Sequence, residues 1–128
     1  MYYICKQMYD NMRKQPVFVS KELRSAGAGV YLIYFASGQF YIGASTMLQR
    51  RIQTHICFVR GGGKVKTGCK ALQQITDFEG GASFYLLEEI KGAPDRWKEW
   101  AMVLKAEKLH KLKYQSSPKL LNHITRLA

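Results

Sequence analysis

The sequence predicts an α+β domain: a three-stranded, mostly antiparallel sheet flanked by helices. Three observations carry that prediction. Two β-rich runs, Val30-Tyr31-Leu32-Ile33-Tyr34-Phe35 and Phe40-Tyr41-Ile42-Gly43, flank Ala36-Ser37-Gly38-Gln39, where Ser and Gly supply turn chemistry, so they predict a β-hairpin. A third β-rich run, Ser83–Ile90, lies between Gly80-Gly81 and Gly92-Ala93-Pro94 and joins the hairpin in one sheet. Between and after these strands, apolar residues recur at helical spacing.

The elements follow in order. Side chains alternate along a strand, so Tyr31, Ile33 and Phe35 share one face and Leu32 and Tyr34 the other. Gly43 stops the second strand. Thr46 and Gln49 then make a capping-box pair ahead of the helical run Leu48, Ile52, Ile56 and Val59. Arg51 and His55 stand one turn apart on that helix, so their side chains meet on one side. Because the helix begins just after the hairpin, the pair is expected over the tyrosines rather than on a solvated basic face. Arg60-Gly61-Gly62-Gly63-Lys64-Val65-Lys66 is a loop, since three consecutive glycines disfavour helix. It lacks the spacing of a Walker A loop, so no nucleotide cofactor is expected.

Residues 69–78 predict a second short helix. A last long helix opens at Pro94 and Asp95 and runs to about Tyr114, with Trp97, Trp100, Ala101, Leu104, Leu109 and Leu112 as its apolar side. Glu107 projects from or beside that stripe. An acid there is either an ion pair with a neighbouring Lys or Arg, or a metal ligand held rigidly against the sheet. Ser116-Ser117-Pro118 closes the helix, and a final apolar segment carries Asn122.

Residues 1–28 read as an N-terminal arm or helix packing on a domain formed by residues 29–128. Tyr2, Cys5, Met8, Tyr9 and Met12 recur at helical spacing until Pro16 breaks the pattern. Val17-Phe18-Val19 is a short extended piece, and Ser20-Lys21-Glu22-Leu23 a single turn. Packing, DNA contact and dimerisation all remain open for this arm.

At 128 residues, 47% hydrophobic and 12% aromatic, the chain is one folded domain's worth. Its net charge of +11 calls for a polyanionic partner, nucleic acid ahead of an anionic membrane. Between Glu22 and Asp77 there is no acidic residue, while Arg24, Arg50, Arg51, Arg60, Lys64, Lys66 and Lys70 fall inside. Such a block is an electrostatic footprint for phosphates, to which we assign Arg50, Arg60, Lys64, Lys66 and Lys70. No basic amphipathic helix with a broad apolar face favours a membrane. Three cysteines without a CxxC pair predict structural thiols in a reducing compartment, and no stretch has the layout of a signal peptide or the length of a membrane span. A cytoplasmic protein is expected.

Gly29-Val30-Tyr31 followed by Tyr41-Ile42-Gly43 resembles the name motif of the GIY-YIG nucleases, with Val30 for the first Ile. The resemblance extends over residues 29–124, through Arg51 with His55, then Glu107, then Asn122. It implies a small sheet with flanking helices, Tyr31 and Tyr41 as the motif tyrosines, Arg51 as the helix arginine, Glu107 as the metal-binding glutamate and Asn122 as the late asparagine. Gly43-Ala44-Ser45 sets a serine one place later than the family's usual order, and no second histidine stands near Thr67.

The chemistry implied is phosphodiester hydrolysis with one Mg²⁺, for which Mn²⁺ can substitute, on Glu107. Arg51 binds a phosphate oxygen. Tyr31 is the implied base, helped by Tyr41 and His55. A free tyrosine has a pKa near ~10, so the role needs the metal and Arg51 to lower it. The expectation is a small stand-alone DNA endonuclease of the phage or mobile-element kind, a monomer or homodimer. The alternatives are an inactive nucleic-acid-binding module on the same fold, or a branch-specific or RNA-cleaving nuclease.

Overall fold

The structure is a computed structural model and describes residues 15–63 and 69–121. In chain order the elements are β1 (Val17–Val19), α1 (Lys21–Ser25), β2 (Gly29–Phe35), β3 (Phe40–Ser45), α2 (Leu48–Arg60), α3 (Lys70–Gln73), β4 (Ala82–Glu89) and α4 (Arg96–Lys113). The α+β class and the hairpin stand as the sequence predicts. The strand count does not: the sheet has four strands in the order β1-β4-β2-β3. The pairs β2–β3 and β2–β4 are antiparallel, and β1 lies parallel to β4 with Val17 opposite Ala82. The added strand is the extended Val17–Val19 piece. Hydrogen bonds from Ala82 N to the Pro16 carbonyl (3.1 Å) and from Ser20 N to the Phe84 carbonyl (2.9 Å) fix it to the sheet.

Two apolar clusters form, one on each face of the sheet. The first gathers Tyr31, Ile33, Phe35, Leu48, Ile52, Phe58, Leu72 and Phe84, so it lies beneath α1, α2 and α3. Its makeup confirms the alternation along β2, since Tyr34 on the opposite face is exposed. Leu23 of α1 is fully buried in it, which contributes roughly 1.5–3 kcal/mol by area burial alone. The second cluster gathers Val30, Ile42, Val103, Ala106 and Leu120, beneath α4.

Several local expectations are corrected. No capping box forms at α2: its N-cap is Met47 without a side-chain bond. Gln49 instead donates to the carbonyls of Leu23 (2.8 Å) and Ala26 (2.7 Å), tying α2 to α1. The helix expected over 69–78 is the single turn α3, after which Ile75 and Phe78 remain buried as coil. Asp95, not Pro94, is the element that starts α4: its carboxylate accepts from Lys98 N at 2.8 Å. The expected apolar side of α4 faces outward. Val103 and Ala106 make its buried contact, while Trp97, Trp100, Leu104, Leu109 and Leu112 are exposed. Small side chains at i and i+3 let the helix approach β2 and β3 closely, which large rings would not. Cys57 is disulfide-bonded and not the expected thiol; Cys69 keeps its thiol. Among the described residues, no helix is long and apolar enough to cross a membrane.

Candidate active site

The hairpin sets the first half of the site. Tyr31 pairs with Gly43 and Ile33 with Tyr41, so the two tyrosines are diagonal neighbours on one face. Their rings lie 6.3 Å apart. Gly43 makes room for both: a Cβ there would stand 2.5 Å from Cζ and Oη of Tyr31 and 2.7 Å from Cε2 of Tyr41. Gly29 answers a different need. Its φ of +154° and the carbonyl of Glu88 against its Cα leave no space for a side chain. One residue later the β2–β4 register shifts, where Val30 faces Glu88 and Tyr31 faces Leu86, a bulge at the base of the tyrosines.

The second half comes from α2. Leu48, Ile52, Phe58 and Val59 bury its inner side, which turns His55 inward with them. The surface-histidine alternative is therefore excluded, because His55 is wholly buried. Its Nε2 lies 2.9 Å from the Tyr31 hydroxyl. The imidazole also sits beside both tyrosine rings, at 5.7 Å from Tyr31 and 6.2 Å from Tyr41. Arg51, one turn earlier, hydrogen-bonds the same Tyr31 hydroxyl. A guanidinium can only donate, so the phenol oxygen accepts from Arg51 and gives its own proton to Nε2. That assignment leaves the proton of neutral His55 on Nδ1, a buried atom with no hydrogen-bond partner among the described residues.

Burial dominates the electrostatics. It pushes the Tyr31 phenol well above its usual range, against the pull of Arg51. Burial and then the neighbouring Tyr31 raise Tyr41 as well. Burial first, and Arg51 second, lower His55 to about 3, so the imidazole is neutral at physiological pH. For Arg51 burial works downward, but the two tyrosines outweigh it and the guanidinium is held charged more firmly than usual. The lowered tyrosine that a base role asks for is thus absent from the free protein: both phenols keep their protons.

Two clefts adjoin this cluster. One, of about 270 Å³, is lined by Ser45, Thr46, Met47, Arg50, Arg51 and Thr54. Two guanidiniums and three hydroxyls at the start of a helix make a donor-rich hollow with room for a phosphate. Ser45 shapes it too, its hydroxyl accepting from Met47 N at 2.9 Å. The other, of about 290 Å³, is lined by Glu107, Lys108, Lys111 and Leu112. Glu107 lies near enough to the tyrosines for its charge to raise both. Its side chain is 20% exposed and pairs with Lys111 at 3.5 Å, the ion pair the sequence offers as one of its two readings.

Tyr31, Tyr41, Arg51 and His55 are therefore brought together, with Arg50 at the rim, while Glu107 stands in a separate cleft and reaches the tyrosines through its charge. Arg60 is not among them: it ends α2, about 14 Å along the axis from Arg51 at ~1.5 Å per residue. Lys70 lies exposed on α3 and lines neither cleft. Asn122, Lys64 and Lys66 lie outside the described residues. Sequence reasoning missed Cys69 as a member of this cluster, where it is hydrogen-bonded with Tyr41. A lone cysteine before a one-turn helix carries no pattern that could have singled it out.

Among the described residues no three His, Cys, Asp or Glu side chains cluster to cage a metal ion. The donor set is one carboxylate facing a cleft. That fits a hard cation that keeps most of its waters and takes its remaining ligands from a substrate phosphate. Lys111 marks the same spot as favourable for positive charge.

No curated protein and no solved structure matches the chain. Residues 27–120 match the family profile described as the GIY-YIG catalytic domain. That span holds the hairpin, α2, β4, α4 and every catalytic candidate named above except Asn122, and the chain belongs to the GIY-YIG family of nucleases.

Proposed function

We propose that this chain is a metal-dependent DNA endonuclease, in which Arg51 and His55 act together on the hydroxyl of Tyr31. The observation that carries this reading is their convergence: one oxygen held between a permanent cation and a neutral imidazole. Arg50 and Arg51 receive the scissile phosphate in the cleft at the start of α2. Tyr31 directs its oxygen to the attacking water, takes a proton from it, and passes its own proton to Nε2 of His55.

In the free protein this relay is idle, since burial and Arg51 both disfavour a charged imidazole. A bound phosphodiester offsets the charge of Arg51 and so removes one of those two causes. Substrate binding thereby raises the basicity of His55 by lifting the smaller of the two causes, burial remaining the larger. Tyr41, hydrogen-bonded by Cys69, holds the other side of the ring cluster. Glu107 is the residue that would hold a divalent cation, Mg²⁺ or Mn²⁺, whose chemistry is charge neutralisation at phosphorus and stabilisation of the departing oxyanion. DNA is favoured by the acid-free, cation-rich block between Glu22 and Asp77.

The test is conversion of supercoiled plasmid to nicked or linear DNA, with and without Mg²⁺, beside two variants. Glu107→Gln is expected to abolish conversion, and Arg51→Ala to slow it by about 10²–10³-fold. Rates like wild type in either variant would remove that residue from the mechanism. Salt-sensitive DNA binding without cleavage under any divalent metal would replace the nuclease with a binding module.

A further inference from the structure

One surface stays unused by this chemistry, the outward side of α4. Trp97, Trp100, Leu104, Lys108 and Lys111 stand at i, i+3, i+7, i+11 and i+14, so they form a single stripe along the helix. It is about 21 Å long at ~1.5 Å per residue. The rings are open to solvent: Trp97 is 84% exposed, Trp100 46% and Leu104 42%. Two large aromatic side chains so placed do nothing for the core, which α4 reaches through Val103 and Ala106. The stripe ends in the cleft that Glu107, Lys108 and Lys111 line, beside the candidate site.

Its surroundings select the occupant. Arg96, Lys98, Lys105, Lys108, Lys111 and Lys113 stand on α4 against Glu99 and Glu107. A second copy of the same cationic helix would be repelled, within a chain of net charge +11. A polyanion would be attracted. Paired bases hide their faces in the stack, whereas unpaired bases offer theirs to indole rings, with phosphates left for flanking lysines.

We infer, building on the nucleic-acid reading above, that the Trp97–Trp100–Leu104 stripe of α4 holds an unpaired stretch of the nucleic-acid substrate, its bases against the indoles and its phosphates on Lys108 and Lys111, leading toward Glu107. The substrate class this selects is DNA with single-stranded character, such as a flap, bubble or frayed end. The step is binding alone and makes no bond.

The chain supplies its own probe, because its two tryptophans are both on the stripe. Tryptophan emission is to be titrated with a single-stranded oligodeoxynucleotide and with a blunt duplex of equal length, in EDTA so that no cleavage intervenes. The expected result is saturable quenching by the single strand and little by the duplex. In a fluorescein-anisotropy format, Trp97→Ala/Trp100→Ala should weaken single-strand binding about tenfold or more, with Trp97→Phe/Trp100→Phe restoring most of it. Circular dichroism checks that α4 is retained, as expected for exposed positions. Unquenched emission, equal loss for both DNAs, or unchanged affinity in the alanine variant would overturn the inference. So would sedimentation showing that the alanine variant dissociates a dimer. Quenching with no plasmid cleavage would keep the stripe and discard the nuclease; cleavage with an inert stripe would do the reverse.

Discussion

The two long helices on opposite faces of the sheet treat their candidate site residues in opposite ways. On α2, His55 projects into the same packed interior as Leu48, Ile52 and Phe58 and is as buried as any core residue, while Arg51 is half-buried and lines the cleft beside it. On α4, Glu107 stands at the margin of a helix that touches the sheet through Val103 and Ala106 and turns its rings to solvent. The α2 half is preorganised by burial, which also raises the Tyr31 and Tyr41 phenols and lowers His55. The α4 half is open, which leaves room for water, a cation and a long polymer. The proposed nuclease would use both: a rigid proton path and an accessible place where charge accumulates.

The contrast can be broken most severely at Gly43. Gly43→Val is expected to destabilise the fold by on the order of 4 kcal/mol, since two rigid rings must move from the packed face. Urea unfolding reads this directly, and an unchanged midpoint would mean that Tyr31 does not lie across residue 43.

A more gradual effect, at most about 1.4 kcal/mol for each pH unit, should mark the burial of His55. Below pH 6.5 the unfolded chain protonates this imidazole, while the folded chain keeps it neutral down to about 3. The unfolded state thus binds the extra proton, so the contribution is full above pH 6.5 and is lost as pH falls across that window. The slope is at most about 1.4 kcal/mol per pH unit. His55→Phe should flatten it, and a wild-type minus variant difference that is independent of pH would sink the idea.

The least effect is expected on the open helix. Lys111→Ala removes an i,i+4 ion pair with Glu107 and should change stability by no more than about 0.5 kcal/mol. A much larger loss in thermal unfolding would show that α4 is as constrained as α2.

How legible each half was follows from the same difference. Tyr31 and Tyr41 meet because a hairpin repeats every two residues, and Arg51 reaches His55 because a helix repeats every three to four; both are local rules readable from spacing. Gln49 misled because its amide serves Leu23 and Ala26, partners that spacing does not reveal. The fourth strand was hidden by its three-residue length and by a partner at Ala82–Phe84. On α4 the rule failed for a chemical reason. Apolar residues occur on more than one side of that helix, and bulk alone suggested the tryptophans for the core. Packing chose the smaller Val103 and Ala106 instead. Burial of the tyrosines, and hence the upward drift of their phenols, also needed the packed structure.

The parallel strand β1 has a consequence for how the chain can be cut. The family match begins at residue 27, after β1 and α1, yet those elements are stitched into the sheet and into α2. A fragment trimmed to the matched span would bare the outer edge of β4, a row of unpaired amides and carbonyls that invites another chain to pair with it. It would also empty the place of Leu23 and release the two carbonyls that Gln49 binds, two residues from Arg51. The boundary of the family and the boundary of the folding unit are different places in this protein, and aggregation is the hazard of confusing them.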